Sequence, residues 1–121
     1  MINELCKQAH ENAKSKGFFD EPKNIGEMIA LMHSELSEAL EADRNDQYSK
    51  SNIQLLLKSQ DDERFSTLYN MGVKGSFEEE MADIVIRVFD MCGFKGIDLE
   101  SHIAAKMRYN SLRPVKHGKK Y

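Results

Sequence analysis

Apolar residues in this chain return at intervals of three and four, and almost nowhere do they alternate singly with polar ones. That rhythm is the period of an α-helix, so a half-buried sheet is excluded as the main architecture. From about residue 2 to 16, Ile2, Leu5, Cys6, Ala9 and Ala13 share one stripe, and Gly17 supplies a left-handed stop. Asn24 reads as an N-cap with Glu27 at the third helical position, starting a second helix that runs to about Asp43. Its inward stripe is Ile25, Ile29, Met32, Leu36 and Leu40. Ser76 and Glu79 make a capping box for a third helix, in which Met81, Ile84, Val85, Val88 and Cys92 face inward until Gly93. The β-branched residues there favour a strand taken alone, but spacing and cap outweigh propensity. Asp98 caps a fourth helix with Leu99, Ile103 and Met107 inward, ending before Pro114 because the residue preceding a proline avoids helical geometry.

Residues 44 to 75 are polar and irregular, with SNIQLLLKSQ and ERFSTLYNM as candidate short helices. The expected architecture is therefore all-α: one domain over residues 1–121, a four-helix bundle with one long crossover. Helices of this size bury modest area, while Phe18, Phe19 and seven methionines remain to be covered. Homo-oligomerisation is the expected way to complete the core.

Composition narrows the function classes. The apolar residues are never run together for the length of a membrane span, and MINELCKQAH is charged from its fourth residue without the apolar stretch of a secretory signal. A cytoplasmic address and no membrane partner are expected. Cys6 and Cys92 fall on apolar stripes and are too few for a disulfide framework, so both read as buried reduced thiols. The net charge of -3 gives no general attraction to nucleic acid, and the basic tail RPVKHGKKY is short and not interleaved with aromatics.

Charge placement says more than its sum. Glu35 and Glu38 lie one turn apart beside the stripe of the second helix, and Glu80 and Asp83 repeat the arrangement on the third. A single pair of this kind is usually solvated, and Glu78 and Glu79 are accounted for by the helix dipole. Two such pairs on facing helices are different, because about four negative charges drawn together require a counter-cation or a bound proton. Carboxylate oxygens without thiolate or imidazole suit Mg²⁺, with Mn²⁺ as the alternative, rather than zinc. A di-iron bundle needs a glutamate three residues before a histidine on two helices, and neither His33 nor His102 has one. His33 reads as a core histidine or one that supports the acidic residues. Lys106, Asn110 and Arg113 are spaced by four and three on the fourth helix, and a point charge, an amide and a planar fork suit phosphate oxygens. Acid for Mg²⁺ and base for phosphate describe a site for a magnesium-bound nucleotide.

The stretches HSELSEALEADR, EEEMADIVIRVFD and KMRYNSLRPVKHGKK resemble the MazG-like members of the all-α nucleoside triphosphate pyrophosphohydrolase superfamily. The resemblance rests on Glu-x-x-Glu followed by Glu-x-x-Asp, together with Lys-x-x-x-Asn-x-x-Arg-Pro. It implies hydrolysis of a nucleoside triphosphate to monophosphate and pyrophosphate in a homodimer or homotetramer. It also implies that Glu35, Glu38, Glu80 and Asp83 are metal ligands, with Lys106 and Asn110 on the nucleotide. Glu35 or Glu38 would accept the proton of the attacking water, and Lys106 and Arg113 would neutralise the leaving pyrophosphate. About forty residues separate the two acidic motifs, more than in compact relatives, and this enlarged connector leaves base preference open. A narrower pyrophosphatase for dUTP or a damaged nucleotide is the alternative within the enzyme class. A non-catalytic helical interaction module is the alternative outside it.

Overall fold

The computed structural model describes all 121 residues as six α-helices, one short 3-10 turn and no strand. No helix is long and apolar enough to cross a membrane. The chain divides into two compact units, residues 22–87 and residues 1–21 with 88–121.

Within residues 22–87, α2 spans Ile25–Arg44, and Asn24 accepts a hydrogen bond from the Glu27 N–H as the sequence leads one to expect. Its buried side is not the expected stripe. Met28, Glu35, Ala39 and Ala42 are buried, whereas Ile29, Leu36 and Leu40 remain 42%, 50% and 50% exposed. The inward face is thus turned by roughly a quarter of the helix circumference from the one the large residues define. The buried side carries the small residues Ala39 and Ala42, both 3% exposed.

The candidate short helices of the connector both form. Asn52 caps α3 (Ile53–Leu57) and Asp61 caps α4 (Asp62–Gly72) through backbone N–H groups. Gly72 lies against Ser51 where α4 ends: a Cβ there would sit 1.9 Å from Ser51 Oγ, so the hydroxyl would have to rotate away. The connector is tied down by Lys50 N–H to the Gly72 carbonyl and Phe77 N–H to the Gln47 carbonyl, and Tyr48 packs its ring on Phe77. α5 (Phe77–Lys95) starts at the predicted cap: the Glu79 N–H donates to Ser76 Oγ. The Glu79 carboxylate reaches back to the Gly75 N–H rather than to that of Ser76.

The other unit holds α1 (Ile2–Ser15), the end of α5 and α6 (Leu99–Ser111). Glu100 Oε1 accepts from the first backbone nitrogens of α1, and Asn3 Oδ1 accepts from the Glu100 N–H, so the two helix starts cap each other. His10, Phe19 and Phe94 form a ring cluster with centroids 4.6 to 5.8 Å apart, and Asp90 lies 3.0 Å from His10 Nδ1. Cys6 and Cys92 are buried and unpaired, as expected, and burial raises the pKa of both thiols, making them less acidic than usual.

Three further expectations are corrected here. Gly93 does not end α5: the helix continues to Lys95, and Gly96, at φ +65°, makes the left-handed stop. Gly93 instead permits close approach, since a Cβ on it would lie 2.5 Å from the Cys6 carbonyl oxygen. Met81 and Val85 on α5, and Met107 on α6, are exposed rather than inward.

Candidate metal centre

The α2 period sets Glu35 and Glu38 one turn apart, with Glu35 in the middle of the buried side between Met28 and Ala42. α5 supplies Glu80 from its first turn, where the free N–H groups of the helix start favour an anion. One oxygen from each of the three carboxylates lies within 4.8 Å of the other two. Glu35 is only 8% exposed, and Glu80 Oε2 is buried with no hydrogen-bond partner.

Such crowding drives the acidities of Glu35 and Glu80 apart. Glu80 is pushed up to about 7, first by loss of solvent and then by hydrogen bonding to Glu35 and the charge of Glu38. Burial also works to raise Glu35, but hydrogen bonds with Glu38, Arg87 and Glu80 outweigh it and hold Glu35 below the usual carboxylate range. Near neutral pH Glu80 therefore still carries a proton in part. A buried oxygen with no partner beside two further carboxylates fits a hard divalent cation, which takes oxygen ligands and displaces such a proton.

Asp83, expected as the fourth ligand, is not one of the three converging groups. It stands nearby: burial first, then the charges of Glu35 and Glu79, raise its pKa. His33, expected in the core or in support of the acidic residues, is exposed. Two residues not singled out in the sequence belong to the surroundings. Arg87 Nε and Nη2 each lie 2.9 Å from Glu35 Oε1. Its position, seven residues after Glu80 on one helix face, was the available signal. Tyr69 of α4 is raised in pKa by burial and by hydrogen bonding to Glu79, and it senses Asp83 and Glu80. Nothing in the connector's irregular pattern marks it.

Lys106, Asn110 and Arg113 belong to the other unit. The Lys106 ammonium and the Arg113 guanidinium lie 5.0 and 5.4 Å from the centre of the Tyr109 ring. Asn110 Oδ1 is buried without a partner. α6 ends at Ser111, so Arg113 is not on the helical face expected for it; it bends back toward Tyr109, and Nη2 donates to the His117 carbonyl at 3.4 Å. Among the clefts, one of about 620 Å³ between α3 and α4 is lined by Leu55, Leu56, Leu68 and Met71 with Lys58 and Arg64, and it takes in none of the three glutamates.

No family model, curated protein or solved structure matches this chain.

Proposed function

We propose that the chain is a divalent-cation-dependent nucleoside triphosphate pyrophosphohydrolase of the MazG-like, all-α kind, acting in the cytosol on (deoxy)nucleoside triphosphates. The observation that supports it most is the convergence of Glu35, Glu38 and Glu80 around a buried, unpartnered carboxylate oxygen. Such a group is unfavourable for the fold and useful to a cation. Mg²⁺, or Mn²⁺ in its place, would be held by these three residues with Asp83 beside them. When bound it would supply charge to the triphosphate and raise the acidity of a water.

Glu38 is the proposed proton acceptor, because it is exposed while Glu35 Oε1 is already engaged by Arg87. Lys106, Asn110 and Arg113 are proposed for the phosphates on the strength of their donor chemistry and spacing. The protomer is proposed to form a homodimer or homotetramer through Ile29, Leu36 and Leu40, whose exposure leaves a continuous apolar strip on α2.

The test is pyrophosphate release from a panel of ribo- and deoxynucleoside triphosphates, with and without Mg²⁺. Magnesium-dependent release by the wild-type chain, lost in Glu38→Gln with helicity unchanged, is the expected result, and the ranking of bases separates a broad enzyme from a dUTP or damaged-nucleotide one. Lys106→Ala is expected to raise KM more than it lowers kcat. Full activity in Glu38→Gln removes the assigned base, and no release from any nucleotide leaves the non-catalytic module as the better reading.

A further inference from the structure

Arg87 touches the glutamate cluster through Glu35 and has no part in the proposed chemistry. A guanidinium fork matches the two oxygens of a carboxylate, yet here Nε and Nη2 both converge on the single oxygen Oε1 of Glu35. The pair is lopsided in exposure: the Arg87 side chain is 39% exposed and that of Glu35 only 11%. The arginine therefore reaches in from solvent to a carboxylate that cannot come out to meet it, and it has room to swing away. Once Glu80 gives up its proton, the three glutamates carry −3 and Arg87 returns +1, and one divalent cation balances the −2 left over.

Arg87 and a cation at this place want the same thing from Glu35. Both are positive, they stand within contact range of the same carboxylate, and at such distances in a partly buried site their repulsion is large. A guanidinium loosened from Glu35 would be left beside the ion, with its donors turned to whatever anion the ion carries.

We propose that Arg87 is a ligand-binding residue that occupies Glu35 in the cation-free protein, yields it when the divalent ion binds, and then grips the anionic ligand. This rests on the reading of the glutamate cluster as a cation site. It makes cation and anion binding mutually dependent through one side chain, a linkage that works in both directions.

The experiment is calorimetric titration of the full chain with Mn²⁺ at pH 8, followed by titration of the Mn²⁺-saturated protein with an α,β-methylene nucleoside triphosphate, which the proposed reaction does not cleave. Arg87→Gln is expected to bind Mn²⁺ about tenfold more tightly than wild type and the analogue about tenfold more weakly. Opposite signs are the signature, because a merely structural arginine would weaken both. Arg87→Lys keeps the charge and loses the fork, so it should leave Mn²⁺ affinity within about twofold of wild type and still weaken the analogue. It decides the matter if the glutamine variant does not fold. Equal or weaker Mn²⁺ binding in Arg87→Gln, or wild-type analogue affinity in Arg87→Lys, overturns the role of Arg87 and leaves the cation site standing. A wild-type chain that binds no Mn²⁺ removes the site itself, and the inference with it.

Discussion

Glu35 and Glu80 bring carboxylate oxygens from two helices within 4.8 Å of each other, and their acidities are driven in opposite directions, Glu35 downward and Glu80 up to about 7. Below about pH 7 Glu80 therefore keeps its proton while Glu35, held low, does not. This has a pH signature. Glu80 lies above its ordinary value of 4.5, so the stability it contributes is complete below that value and is lost as pH rises through about 7. Glu35, being lowered, contributes above its ordinary value and loses that contribution only in more acidic solution.

In the window from pH 5 to 8 Glu80 therefore governs, and the metal-free chain should melt at a lower temperature at pH 8 than at pH 5.5. A divalent ion must displace the proton, so Mn²⁺ affinity should rise up to about tenfold per pH unit below about 7 and level off above it. Glu80→Gln should stabilise the metal-free chain at pH 8 by about 1–2 kcal/mol while abolishing ion binding, the trade expected where charge is crowded for function. Melting curves across pH, with and without Mn²⁺, check all three, and a pH-independent affinity would mean that no proton is held there.

Gly93 should tolerate no side chain. Alanine is the better helix former by about 1 kcal/mol, so on an open helix face Gly93→Ala would stabilise. Here its Cβ would meet the Cys6 carbonyl at 2.5 Å and His10 Cβ at 2.8 Å, and a helix backbone cannot step aside as a side-chain tip does. The expected outcome is destabilisation by about 1–3 kcal/mol in urea unfolding. Unchanged or increased stability would show that α1 and α5 do not meet at this point.

Leu36→Glu tests the strip on α2. Leu36 is half exposed in the protomer, so the substitution should change the stability of an isolated chain by no more than about 0.5 kcal/mol. In an oligomer it buries an unpaired charge, and light scattering should then report monomers where the wild type shows dimers or tetramers. A wild type that is already monomeric at tens of micromolar would remove the oligomer from the proposal.

The helices were legible because their signals are local. A cap such as Asn24 or Asp98 acts on a nitrogen three residues away, and stripe spacing follows from the helical period, so α1, α2, α5 and α6 began where the sequence placed them. Pairing Glu35 with Glu38 by one turn, and expecting Glu80 to join them, also needed only that period and the cost of like charges. What the sequence by itself could not decide was which way each helix turns. α2 carries large apolar residues on one side and alanines on another. Tertiary packing buried the alanine side, and with it Glu35, and left Leu36 and Leu40 facing out. Tertiary packing also turned Gly93 from a stop into a contact with Cys6, and it brought Arg87, seven residues beyond Glu80, onto Glu35. These are choices between faces that local propensity treats alike, and they are settled only when separate elements compete for the same space and charge.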